Sequence, residues 1–146
     1  MSNVSTILSQ LASEVGALLS DYSELDYVYD VEKNTFRTGQ RRYGIGVEGG
    51  LSVDGTIKSI TIDQTFFIKL TDCTANRSSD SSERVAISSL YDDFETIQKN
   101  IFQKKLGIPS VVLVVSELDM ESPEKVGDNT IMLKGNFIIK HRNQTT

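Results

Sequence analysis

Val4, Ile7, Leu8, Leu11, Val15, Leu18, Leu19 and Tyr22 recur at intervals of three and four residues, with Ser9, Gln10, Ser13, Glu14 and Ser20 between them. That spacing gathers the apolar groups on one stripe and predicts an amphipathic first helix, capped by Ser2 or Asn3. Gly16 within it costs about 1 kcal/mol relative to Ala. The period then changes to two. Tyr27, Tyr29 and Val31 alternate with Val28, Asp30 and Glu32, and after a turn at Thr38-Gly39 the trio Tyr43, Ile45 and Val47 repeats the pattern. In a longer strand Ile60, Ile62, Phe66, Ile68 and Leu70 share one face, interrupted by Gln64, while Thr61, Asp63, Thr65 and Lys69 take the other. One apolar and one polar face predict an antiparallel sheet.

The stretch from Thr71 to Ser82 is almost free of apolar groups and predicts a long exposed loop, a length that ordered domains keep for a use. A second helix follows, opened by Asp80 and Glu83 as a capping box. Its stripe is Ile87, Leu90, Phe94, Ile97 and Ile101, and Gly107 with Pro109 stops it. The continuous apolar run Val111 to Val115 reads as a central strand. An acidic connector, Glu117 to Asn129, carries the turn signal Gly127-Asp128. Ile131, Leu133, Phe137 and Ile139 then face one way, with Lys134, Asn136 and Lys140 opposite. The order αβββαββ predicts one two-layer α+β domain over residues 1–146: an antiparallel or mixed sheet of about five strands with two amphipathic helices on one face.

Charge narrows the range of partners. Twenty acidic residues against fifteen basic ones give a net charge of -5, which argues against a protein that grips duplex DNA through its phosphates. Residues 1–30 carry five acids and no base, whereas residues 31–60 carry three acids and five bases. Such asymmetry lets one subunit attract a neighbour. No apolar run reaches the roughly 18 residues of a membrane span, and no basic region precedes the first apolar residues, so a soluble chain without a secretory signal is expected. One cysteine, Cys73, and one histidine, His141, form neither an internal disulfide nor a Cys/His zinc site.

Chemical motifs are few. Gly44-Ile45-Gly46-Val47-Glu48-Gly49 spells a dinucleotide fingerprint, but that motif must open a helix at its third glycine. Here turn and strand residues follow, so no cofactor is expected and the glycines read as a strand end and hairpin. His141, between Lys140 and Arg142, reads as an exposed strand-end residue. Asp92 and Asp93 diverge by about 100° on a helix and read as a solvated face. Asp63 reads as a cross-strand ion-pair partner. Lys33, Arg37, Arg41 and Arg42 cluster without the interleaved aromatics of a single-strand binder, and the Arg41-Arg42 tip suits an acidic patch on another subunit. Nothing assembles a catalytic constellation, so no enzyme is predicted.

Arg42-Tyr43-Gly44, then Thr61-Ile62-Asp63-Gln64-Thr65-Phe66 running into Leu70-Thr71-Asp72, resembles tailed-bacteriophage neck and tail-terminator proteins of the lambda type. The second helix, the Val111 strand, Ser122-Pro123-Glu124 and the closing Lys140-His141-Arg142 fall in the same order, so the likeness covers most of the chain. It implies a virion structural protein, made in the bacterial host's cytoplasm, that forms a hexameric ring at the head-proximal end of the tail tube. The ring ends tube polymerisation and offers a surface to the head connector, while DNA passes through the lumen unread; the partners are other copies of the chain, the tube protein and the connector. The family carries no catalytic residue. Expected contact residues are Arg37, Arg41 and Arg42 at the basic tip, Asp72, Asn76, Arg77 and Asp80 in the polar loop, and Glu117, Asp119 and Glu121 in the connector. The alternatives are another neck or tail-completion protein, or a small cytosolic ligand-binding domain.

Overall fold

In the computed structural model, residues 3–55, 59–73, 80–101, 111–127 and 129–144 are described. Helix α1 spans Asn3–Leu18 and buries Ile7, Leu11 and Val15 completely, the four-residue repeat of the predicted stripe. The stripe continues in sequence to Tyr22, but the helix does not. The Tyr22 amide bonds the Leu19 carbonyl in a tight turn, and Tyr22 opens a short strand, β1 (Tyr22–Glu24). Strands β2 (Arg41–Gly55) and β3 (Ser59–Cys73) pair antiparallel, followed by helix α2 (Asp80–Ile101), β4 (Val111–Met120), the two-residue β5 (Glu124–Lys125) and β6 (Thr130–Gln144).

The sheet order is β1-β2-β3-β6-β4, with β5 also bonded to β6. β1 runs parallel to β2 and every other pairing is antiparallel, so this α+β sheet is mixed and has six strands rather than five. Ile7, Leu11 and Val15 of α1 and Leu90, Phe94 and Ile97 of α2 enter one core with Phe66, Ile68, Leu70, Leu133, Phe137 and Ile139. Both helices therefore cover the same sheet face. Phe66 and Phe137 are direct cross-strand partners whose rings stack at 6.3 Å.

Four expectations change. Residues 27–32 do not form a strand: the segment curls through a single 3-10 turn at Val31–Lys33 and lies over the sheet face opposite the helices. The buried Asn34 side chain holds it there, accepting from the Tyr27 amide at 2.9 Å and donating to the carbonyls of Tyr27 (2.7 Å) and Val31 (2.8 Å). The polar face of β3 is consequently half covered, with Phe67 1% exposed and Lys69 9%. The Val111 run is not central, because β6 takes the place beside β3 along its whole length and leaves β4 outermost on the described path. The loop predicted from Thr71 is shorter, since Thr71, Asp72 and Cys73 are buried in β3; residues 74–79 lie outside the described set.

The glycines of the false fingerprint lie inside β2. A Cβ on Gly46 would fall 2.1 Å from the Phe67 ring, and one on Gly44 would meet Leu25 and Val28 at 3.0 Å. Close approach of the crossing segment and of Phe67 requires them. Val47 to Leu51 is a bulge rather than a hairpin, and the strand continues to Gly55.

Candidate functional site

Two groups of polar side chains lie on opposite faces of the sheet. The first is a row across its end on the helix side. Tyr22 of β1, Arg41 of β2 and Asp72 of β3 are register partners in succession, and α2 adds Asp93 from above. The Arg41 guanidinium reaches Asp72 Oδ2 at 3.5 Å and Asp93 Oδ2 at 3.4 Å, and it stands 5.9 Å from the Tyr22 ring centroid. Tyr22 donates its hydroxyl to Asp93 Oδ2 at 2.5 Å. Burial and then this carboxylate raise the Tyr22 pKa, so it stays a neutral donor. One cation between two carboxylates thus ties three strands to a helix.

The second group lies under the crossing segment. Lys69 and Lys134 face each other across β3 and β6 and flank the Phe67 ring, 5.0 and 4.7 Å from its centroid. Lys69 donates to the Val28 carbonyl at 2.8 Å; burial and then the neighbouring Lys134 lower its pKa. Burial opposes the Lys134 charge as well, but its bonds to Glu48 and Glu121 outweigh that and raise its pKa. Asn136, donating to Glu121 at 2.8 Å, heads the causes that lower the Glu121 pKa. Tyr29 closes the group edge-on to Phe67 at 5.5 Å.

These placements sort the expected contact residues. Arg42 is buried: it donates to the carbonyls of Glu24 (2.7 Å) and Thr35 (3.1 Å) and pairs with Asp26 at 3.4 Å, so it secures the crossing segment. Asp72, expected in an exposed loop, is 4% exposed, and Arg41 is engaged beside it. Arg37 is exposed in the turn that Gly39, at φ +81°, completes. Asp119 is exposed at the end of β4 opposite Asn136, and Glu121 is exposed on its Lys134 bond. Asp80 opens α2 and Glu117 lies in β4; Asn76 and Arg77 fall outside the described residues.

The remaining singled-out groups also move. His141 is 1% exposed on the helix-covered face, not a free strand end, and its Nε2 meets Gln64 Oε1 at 3.2 Å. Burial lowers its pKa, with Asp63 acting weakly against that. Asp63 pairs across the strands with Lys140 at 3.8 Å, the cross-strand ion pair that its position predicts. Asp93 is no solvated residue, being bonded to Tyr22 and Arg41. No local pattern announces the Lys69–Lys134–Phe67 group, because the facing of two lysines depends on a register between strands about 60 residues apart.

A shallow cleft of about 510 Å³ beside the crossing segment is lined by Asn34, Phe36, Cys73, Val126 and Thr130 among others. Asn34 is already fully bonded there, and the Cys73 thiol is buried. Among the described residues no three His, Cys, Asp or Glu side chains are grouped to hold a metal, and no helix is long and apolar enough to cross a membrane.

No family model matches the chain, and no curated protein is similar to it. Among the solved structures that align with the chain, one covers 96% of it over 93% of its own length, at 14% identity and a TM-score of 0.44. At that distance it bears on neither function nor mechanism.

Proposed function

We propose that this chain is a virion structural protein with no catalytic role: a tail-terminator subunit that forms a ring on the head-proximal end of a phage tail tube, ends its growth and joins it to the head connector. The observation that carries this reading is where the phrases of the resemblance fall. Arg42 and Tyr43 are register partners of Thr71 and Leu70. Arg42 holds the crossing segment, and Tyr43 donates to the Ala12 carbonyl of α1 at 3.3 Å. Asp72 bonds Arg41. Phrases about 30 residues apart in sequence thus converge on one node that sets the positions of α1, α2 and both sheet faces. A framework shared with that family would use its phrases in this way. The acidic balance suits a channel that lets DNA slide, since a basic lumen would hold its phosphates.

Negative-stain imaging of the pure protein, with its mass measured over a concentration series, tests the reading. Hollow rings of about 97 kDa, six copies of a 16.2-kDa chain, are expected. A chain that stays monomeric alone and also fails to cap isolated tail tubes refutes it. Particles that bind a connector ring but not tubes would instead identify a head-completion protein.

A further inference from the structure

From Arg41 to Val47 the register of β2 on β3 runs without a break, so its backbone groups alternate strictly between β3 and the outer edge of the sheet. The Gln40 carbonyl, one residue earlier, accepts from the Cys73 amide at 3.1 Å, which turns the even-numbered positions towards β3. The odd-numbered ones face outwards. The Tyr43 carbonyl accepts from the Leu25 amide at 2.7 Å, and the Val47 amide and carbonyl bond the Tyr29 hydroxyl at 3.0 and 3.3 Å. Ile45 stands between these two. β1 pairs only with residues 41–43 before the chain turns away over Gly44. Among the described residues nothing bonds the outward N–H and C=O of Ile45, so an edge that is closed on both sides has one open position.

That position borders a cleft of about 430 Å³ between α1 and the edge, walled by Leu8, Ser9, Ala12, Glu24, Tyr43 and Ile45. Leu8, Ala12 and Ile45 pack partly buried against the core and make its floor apolar. At the rim Glu24 is exposed, in no ion pair among the described residues, and the first 30 residues hold five acids and no base.

We propose that this notch takes an extended segment of another protein, antiparallel to β2, with one apolar side chain in the cleft and a basic one beside Glu24. The geometry sets each term. In an antiparallel pair a single residue opposite Ile45 exchanges both bonds with it, which fits an opening one residue long, whereas a parallel segment needs two residues. The side chain of that residue lies on the same sheet face as Ile45 and so enters the cleft. Side chains two positions away share that face and reach the rim, where the charge is negative. Main-chain bonds for affinity and a pocket for alternate side chains are how extended segments are recognised at sheet edges. Arg41 and Arg42, the basic tip that would suit an acidic surface on a second copy, are engaged inside their own chain, so the segment belongs to a different protein. The inference stands apart from the ring reading and needs no ring.

Amide exchange and a peptide titration test it, both by NMR on the whole chain. In the free protein the Ile45 amide should exchange at least tenfold faster than those of Gly44 and Gly46, which face β3. The probe is acetyl-Lys-Thr-Val-Thr-Lys-amide. It should shift the Ile45 amide saturably, slow its exchange, and bring the valine methyls against Leu8 and Ala12. The same peptide with N-methylvaline, or with glutamates for lysines, should bind at least tenfold more weakly. Ser9→Tyr, an exposed residue at the mouth of the cleft, should cause a similar loss while the thermal midpoint stays within a few degrees, and Glu24→Lys should reverse the preference for lysine over glutamate. An Ile45 amide as protected in the free chain as its neighbours overturns the open edge. Shifts spread over the acidic surface, or unchanged by N-methylation, reduce the effect to charge attraction and overturn the site, as does the absence of saturable binding. Ile45 shifts that grow with protein concentration alone overturn the choice of occupant in favour of a second copy.

Discussion

Asn34 shows how one amide decides a local conformation. Residues 27–32 have the alternation of a strand, but an extended chain there would leave the Asn34 amide without the backbone groups of Tyr27 and Val31 that it now satisfies. Asn34→Ala removes three partly buried bonds and is expected to cost about 2 to 4 kcal/mol in urea unfolding, at roughly 1 kcal/mol or more per orphaned group. Asn34→Asp, which keeps the acceptor alone, should fall between. His141 sets a different residue-scale expectation. With Nε2 donating to Gln64, Nδ1 has no partner, and a proton placed there would be buried without an acceptor. Its folded pKa lies below the ordinary 6.5, so the unfolded chain binds the proton more readily. Stability should therefore be complete above about pH 6.5, decline as the pH falls towards the depressed folded value, and level off below it. His141→Gln should flatten that part of a stability profile measured by chemical denaturation.

At the scale of elements, the packing against β2 and β3 distinguishes what a period reveals from what it hides. Both helices were legible because each buries a single stripe against one face, and the 3.6-residue repeat records that directly. The alternation in β3 identified Ile62, Phe66, Ile68 and Leu70 as core for the same reason. The polar face was misread because a chain segment distant in sequence folds over it, and alternation cannot tell water from a covering loop. Gly44 and Gly46 held the missing signal: side chains were absent where Phe67, Leu25 and Val28 needed the space. Gly46→Ala should force the buried Phe67 ring from under Tyr29 and the two lysines, lowering stability by about 1 to 3 kcal/mol. Gly39→Ala should lower it through its positive φ alone, since nothing lies within 4 Å of the added carbon. The Tyr22–Arg41–Asp72–Asp93 row was equally hidden. Its members come from four elements, and Tyr22 mimics a further step of the first helical stripe. Of the expected contact residues, those marked only by charge and apparent exposure proved of two kinds. Arg37, Asp119 and Glu121 reach the surface, whereas Arg42 and Asp72 are used inside the fold.

For the molecule as a whole, the sequence pattern predicted the layers and the count of helices but not the order of strands, because order depends on which edges meet and no local repeat encodes that. The Val111 run illustrates the gap. Its composition describes a central strand, and among the described residues it lies at the end of the strand order. The position of β6 has a consequence for how the chain reaches this fold. β3 and β4 both precede β6, yet β6 lies between them, and its pairs with β3 join residues 57 to 85 positions apart. On a nascent chain the hairpin of β2 and β3 and both helices emerge before the strand that completes their core. Folding should consequently be governed by a late, long-range closure, slower than for helical proteins of similar size. Deleting residues 130–144 should abolish cooperative unfolding rather than weaken it, as read by circular dichroism during heating. Until β6 docks, the apolar Val111–Val115 run of β4 lacks the strand it pairs with, which makes the interval between synthesis and closure the period in which this protein is most exposed to aggregation.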